Sequence, residues 1–159
     1  MSKVLKEMDI IKNLAKEVIT EMKLQESEKQ KKKVLHNTEL LMKNYTKFKD
    51  HIDRVDDSIE YDTEIEEDIV FISSITRTKL RTAKMIAYID SALEIIRKNM
   101  INSGEEYKYS AFCMYYLESQ TNEDIMEKYN CGKNTPKRWR DYIITELSVL
   151  LWGIEALGF

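Results

Sequence analysis

The sequence contains few of the residues that interrupt helices, with four glycines and one proline among 159 residues. Neither residue type occurs before Gly104, and the 103 residues that precede it are rich in Lys, Glu, Leu, Ile and Met. These residue types favour helix, whereas glycine and proline disfavour it. The scarcity of glycine and proline therefore predicts long helices over the first 103 residues.

Cysteine and histidine are also scarce, with two of each. The chain has no Cys-x-x-Cys pair, phosphate-binding loop or nucleophile elbow, and His36 and His51 are far apart. We therefore expect no enzyme activity, no metal and no cofactor. Cys113 and Cys131 are expected to be small buried residues of a cytosolic protein, with a disulfide between them as the less favoured alternative. No apolar run is long enough to span a membrane and no secretion signal is evident, so we expect a soluble, cytoplasmic protein.

The most informative stretch lies near the C-terminus, where three short helical patterns follow one another. Helices are predicted at Tyr107–Leu117 and Asn122–Tyr129, with Thr121 as the cap of the second. The turn Asn130–Gly132 separates them from a third helix that runs to about Trp152. This order of helices and turns predicts a helix-turn-helix, a motif that presents its last helix to the major groove of DNA.

The third helix of this motif has one apolar and one basic face. The face predicted to be buried contains Pro136, Trp139, Ile143, Leu147 and Leu150. The candidate DNA-binding residues are Lys133, Asn134, Thr135, Lys137, Arg138 and Arg140, with the Arg140 head group reaching solvent from the edge of the buried face. We expect the helix to begin with Thr135 as N-cap and Pro136 at the first helical position. The alternative is an ordinary basic face exposed to water.

These residues carry a family resemblance. The stretch from Leu117 to Leu147 resembles the promoter-binding helix-turn-helix domain of bacterial sigma factors. From about Asn37 onward, the chain resembles even more closely the phage late-gene transcription regulators of the ArpU/RinA type, through the segments Asn37–Tyr45 and Ile75–Met85. It departs from the pattern at Gly132, where Ser or Thr is usual, and at Pro136, where a bulky apolar residue is usual.

The resemblance implies a sequence-specific DNA-binding regulator of phage or prophage origin that binds a promoter element and assists RNA polymerase. Its expected partners are double-stranded DNA and RNA polymerase. Two alternatives remain open: a DNA-packaging initiator resembling a small terminase subunit, and a helical interaction protein whose helix-turn-helix does not bind DNA. The acidic block Asp50–Asp68, with ten acidic residues against one basic, would be a linker or helix end, a polymerase contact, or a screen for the basic helix.

The expected fold is all-α, with an N-terminal helical part at residues 1–103 and a helix-turn-helix domain at residues 104–159. The N-terminal part begins with an apolar stripe, then continues with the polar run Gln25–Lys33 and a second stripe that starts at Val34. The first stripe consists of Val4, Met8, Ile11, Ala15, Val18 and Met22. It fits a short coiled coil, and both packing within the molecule and a homodimer remain open.

Three further elements are predicted. Leu80–Ile101 has the periodicity of a helix that ends near Gly104, and the apolar run Ile69–Ile75 is interpreted as helix. It remains open whether the two N-terminal stripes lie on one helix or on two. The last ten residues are too apolar for a free tail, so we expect them to dock onto the N-terminal helical part or across a dimer interface.

Overall fold

The computed structural model describes residues 2–54 and 66–158, and this part of the chain is helical and contains no strand. The helices are α1 (Ser2–Arg54), α2 (Glu66–Asn102), α3 (Glu106–Tyr116), α4 (Asn122–Tyr129) and α5 (Thr135–Trp152), followed by a 3-10 helix at Gly153–Leu157. The predicted all-α class is confirmed. Most of the acidic block Asp50–Asp68 lies outside the described residues, so its role stays a prediction.

The first two helices are long, as the scarcity of glycine and proline predicts. The polar run Gln25–Lys33 lies inside α1, so the two N-terminal stripes belong to one helix. The α2 helix includes the run Ile69–Ile75, which confirms its interpretation as helix. It ends where predicted: Gly104 has a φ of 74°, and the Glu105 amide donates to the Met100 carbonyl at 2.8 Å. This hydrogen bond and the left-handed glycine are the usual termination of a helix.

One large core joins four of the helices. Its buried members are Met42, Tyr45, Ile86, Ile89, Ala92, Leu93, Ile96, Met100, Phe112, Ile143, Ile144 and Leu147. They come from α1, α2, α3 and α5, so residues on both sides of position 103 share this core. Tyr45 of α1 also donates a hydrogen bond to Asp90 of α2. The orientation of α5 is therefore fixed by the N-terminal helices as well as by its sequence neighbours.

A smaller cluster joins α3, α4 and α5 around Ala111, Met114 and Ile125. Trp139 is partly buried against this cluster rather than at the centre of a core. Leu150, predicted on the buried face, is instead 45% exposed, and that prediction was wrong. The residue after it, Leu151, packs against the large core, because α5 contacts α1 and α2 along its second half as well as α3.

The C-terminal residues dock onto α1, which confirms the predicted alternative of docking onto the N-terminal helical part. Trp152 Nε1 donates to Thr38 Oγ1 at 3.1 Å, and Ser148 Oγ donates to the same oxygen at 2.8 Å. Thr38 is fully buried, and its hydroxyl donates to the Val34 carbonyl at 2.8 Å. Buried hydroxyls need such partners, so this group specifies where the end of α5 meets α1.

Replacement of Gly158 by alanine should release the C-terminal residues from α1. Gly158 has a φ of 86°, and a Cβ there would lie against Ser27 Oγ and 2.9 Å from the Ser27 carbonyl oxygen. The strained φ and the clash should together cost more than about 1 kcal/mol of docking free energy. Limited proteolysis should then cut Gly158→Ala near the C-terminus faster than the wild type.

Gly104→Ala is the control, because Gly104 also has a positive φ but nothing lies within 4 Å of the added Cβ. Equal cleavage rates in Gly158→Ala and the wild type would contradict the docking.

Candidate nucleic-acid interface

The α4 helix begins with the predicted cap. Thr121 Oγ1 accepts a hydrogen bond from the Asp124 amide at 3.2 Å, and the Thr121 amide donates to Asp124 Oδ2 at 2.8 Å. This reciprocal pair is a capping box, which satisfies two free amides at the start of a helix. The hydrogen bonds from the Thr121 backbone and then its side chain lower the pKa of Asp124. The capping prediction for Thr121 is confirmed.

The connection from α4 to α5 is a short turn with one left-handed residue. Asn130 has a φ of 48° and ends α4, and the Cys131 amide donates to the Met126 carbonyl at 3.2 Å. Gly132 follows with open space around it, because an added Cβ would meet only Thr135 Oγ1 at 3.8 Å. Position 132 therefore has room for the Ser or Thr that is usual in the family resembled. Cys113 and Cys131 are both free, so no disulfide joins them, and they are partly buried rather than fully buried as predicted.

The start of α5 lies one residue earlier than predicted. Thr135 is the first helical residue rather than the N-cap, and Asn134 occupies the capping position with a φ of −92° and a ψ of −9°. The Asn134 side chain makes no capping hydrogen bond, whereas its carbonyl accepts from the Arg138 amide at 3.2 Å. Pro136 is fully buried in the first turn, where its missing amide costs nothing. The shift places Thr135 on the partly buried side of the helix start.

Three of the candidate side chains extend into solvent. Lys133, Asn134 and Arg138 are exposed, and their side chains bond to no described part of the chain. Lys137 is exposed as well, but its Nζ lies 2.7 Å from Asp141 Oδ2. This hydrogen bond raises the pKa of Lys137. The structure thus brings four of the predicted residues together around the first turn of α5.

Arg140 is placed differently from the sequence-based expectation that its head group would reach solvent. It is only 7% exposed, and Nη1 donates to Asn122 Oδ1 on α4 at 2.5 Å. Its guanidinium carbon lies 3.8 Å from the centre of the Tyr115 ring on α3. The side chain therefore connects three helices. Asn122 and Tyr115 are positioning residues that sequence reasoning missed.

Aromatic rings hold α5 against α3 and α4. Trp139 packs edge-to-face on Tyr107 of α3 and Tyr129 of α4, with ring centres 5.2 and 5.6 Å apart. Such pairs prefer this geometry and contribute beyond the area that they bury. Trp139 immediately follows Arg138, so the exposed cation is carried on a helix held by rings from two neighbours.

A second feature lies between α1, α2 and the end of α5. An apolar cleft of about 610 Å³ is lined in part by Asn37, Leu41, Arg81 and Met85. These residues come from the two segments, Asn37–Tyr45 and Ile75–Met85, on which the family resemblance depends outside the basic helix. The fold therefore brings the two segments together, although they are distant in sequence.

Comparison of the chain with protein-family models, with curated proteins and with solved structures found no match in any of the three. In the parts of the chain that the structure describes, no helix has an apolar stretch that would cross a membrane.

Proposed function

We propose that this protein is a sequence-specific DNA-binding regulator of transcription, in which α4 and α5 act as a helix-turn-helix and α5 enters the major groove. The observation that carries the proposal is the start of α5, where Lys133, Asn134 and Arg138 extend into solvent without a partner among the described residues. Lysine and arginine bind phosphates and guanine edges, and asparagine binds adenine. The opposite face of α5 is held by the core, so these side chains sit on a fixed support.

The proposed contact residues form a smaller group than the sequence predicts. Lys137 belongs to it despite its ion pair with Asp141, because exposed pairs are weak and a phosphate can replace the carboxylate. Thr135 lies at its edge, since it is partly buried. Arg140 is left out, because its guanidinium is already held by Asn122 and Tyr115.

The regulatory role and the RNA polymerase partner rest on the resemblance to phage late-gene regulators and to the promoter-binding domain of sigma factors. Room for a side chain at position 132 is compatible with that resemblance. The overall charge of −3 supports a local contact with DNA over general coating of it, since non-specific affinity grows with the number of phosphates neutralised. The protein would act in the cytoplasm of the infected or lysogenic cell.

A second candidate is a DNA-packaging initiator resembling a small terminase subunit. The exposed apolar side chains at the start of α1 favour it, because such initiators join a DNA-binding motif to a helical oligomerisation segment. The mass of the particle in solution separates the two candidates. A ring of many subunits supports packaging, whereas a small assembly supports regulation.

The DNA-binding proposal predicts that Arg138→Ala and Lys133→Ala weaken binding in different ways. The target site is first selected from random duplexes with the wild-type protein, and affinities are then measured by fluorescence anisotropy. Loss of a base contact at Arg138 should lower affinity for the selected site by about tenfold to a hundredfold, with little change on unrelated DNA. Loss of a phosphate contact at Lys133 should weaken binding to all sequences alike and reduce the salt slope by about 1.

Lys98→Ala is the matched control, because it removes an exposed positive charge from α2 and leaves α5 unchanged. It should bind the selected site nearly as well as the wild type. If all three variants lose affinity equally, the effect is one of net charge and the contact set is wrong. If selection enriches no sequence, the protein is not a sequence-specific regulator, and the reading as a helical interaction protein gains support.

A further inference from the structure

The first half of α1 is exposed at each position from Lys3 to Glu26, although it is rich in large apolar side chains. The N-terminal stripe is Val4, Met8, Ile11, Ala15, Val18 and Met22. Ile11 is 65% exposed and Met22 is 64% exposed, and no other described part of the chain covers them. Packing of this stripe against the rest of the described chain, one of the two alternatives left open by the sequence, is therefore not observed.

The N-terminal stripe and the core face of α1 point in nearly opposite directions. Val34 and Thr38 are buried against the protein, and Ser27 lies on the same side, where Gly158 packs on it. At about 100° per residue, Val34 is rotated roughly 160° from Val18. Because α1 is one continuous helix, the stripe faces away from the core that the described residues form, and it is left free to bind another molecule.

We propose that the N-terminal stripe binds the same stripe of other copies of this chain in a parallel coiled coil. The stripe has the 4-3-4-3-4 spacing of a heptad repeat, which places Met8 at a core a position and Val4 and Ile11 at core d positions. A surface with this repeat is complementary to itself. The inference does not depend on DNA binding, since it concerns a separate part of the chain.

The charges beside the stripe favour the parallel arrangement. In parallel register, Glu7 of one copy lies opposite Lys12 of the next, and Leu14 lies opposite Ile19. In an antiparallel pair in the same register, Glu7 would face Glu21 and Lys12 would face itself. The parallel form thus pairs opposite charges where the antiparallel form opposes like charges.

The same repeat explains where the association stops. After Met22, the next core positions are occupied by Gln25, Lys29 and Lys32, which would bring like charges together. Glu21 and Glu26 of neighbouring copies would also repel one another there. The coiled coil therefore covers about three heptads, a short length that makes association dependent on concentration.

The d positions of the stripe favour a particular number of copies. These positions carry the β-branched Val4, Ile11 and Val18, which favour three or four helices over two in parallel bundles.

A membrane surface is a less suitable binding partner for the stripe than other copies of the chain. Residues 3–26 contain five lysines and five acidic residues, without the basic excess that anionic lipids attract.

Sedimentation of the full chain over a wide concentration range tests the proposal. The wild type should shift from monomer to oligomer as its concentration rises, and Ile11→Glu should remain monomeric. Ile10→Glu is a closely matched control, because Ile10 is 58% exposed on the same stretch of helix but lies off the stripe, so it should associate like the wild type. Neither isoleucine is in the core, so both variants should fold, which circular dichroism checks.

Orientation is tested with Val4→Cys, since a d residue meets its own counterpart only in a parallel bundle. Mild oxidation should give a covalent dimer of Val4→Cys but not of the wild type, whose two cysteines are partly buried. Failure to cross-link would overturn the parallel arrangement. A wild type that is monomeric at all concentrations, or equal behaviour of Ile10→Glu and Ile11→Glu, would overturn self-association. Self-association would also be overturned if the wild-type monomer bound phosphatidylserine vesicles and Ile11→Glu did not.

Discussion

Arg140→Ala should destabilise the protein by on the order of 3 kcal/mol, because the guanidinium is engaged on two sides and buried. Its removal breaks the hydrogen bond to Asn122 and leaves that side-chain oxygen without its donor. It also removes the cation stacked over Tyr115. Thermal or denaturant unfolding followed by circular dichroism measures the loss. Arg140→Lys should recover little of it, because an ammonium cannot reproduce the flat contact with the ring.

The matched variant is Arg138→Ala, two residues away on the same helix. Arg138 is exposed and has no partner in the described part of the chain, so its removal should change the unfolding free energy by less than about 0.5 kcal/mol. The two substitutions should therefore have different effects: Arg138→Ala should weaken DNA binding, and Arg140→Ala should lower stability. Unchanged unfolding of Arg140→Ala, together with lost DNA binding, would contradict the assignment and return Arg140 to the contact set.

The different roles of these arginines could not be predicted from sequence periodicity. A helical repeat places Arg140 at the border of the buried face, where a long side chain can turn inward or outward. The inward position depends on Asn122 and Tyr115, which reach it through the packing of α3 and α4. Contacts of this kind are set by tertiary structure, and a local pattern does not contain them.

Helix ends were the more predictable feature, because the signals that set them are local. Thr121 and Asp124 cap α4, and Gly104 ends α2, each through bonds within a few residues. The start of α5 was predicted one residue late, since Thr135 and Asn134 are both good capping residues and only the backbone distinguishes them. Leu150 was misplaced for a tertiary reason, because the end of α5 turns a different side toward α1 and α2.

The heptad spacing of α1 was visible in the sequence, but its relation to the rest of the protein was not. Only the structure shows that one helix carries two apolar faces, one on the core and one exposed on nearly the opposite side. The polar run Gln25–Lys33 left open whether the two stripes lie on one helix or on two; it contains no glycine or proline and continues as part of α1. The polar run marks the place where the apolar side of α1 changes from the exposed stripe to the core face.

The largest loss of stability is expected from Phe112→Ala, at about 3–5 kcal/mol. Phe112 is fully buried in the core that joins four helices, and its ring centre lies 4.9 Å from that of Tyr116 and 6.3 Å from that of Tyr109. Truncation removes apolar area from the core and leaves a cavity that neighbouring helices, held by their own contacts, fill only in part. Denaturant unfolding gives the free-energy change directly.

Tyr88→Ala is the matched control, because Tyr88 is 71% exposed on α2 and its removal should cost less than about 0.5 kcal/mol. Trp139→Ala should fall between the two, since its ring is partly buried but packs on two aromatic neighbours. A Phe112→Ala protein as stable as Tyr88→Ala would mean that α3 does not pack in the shared core. The support proposed for the exposed face of α5 would then be lost, because α3 connects that helix to α1 and α2 through the same core.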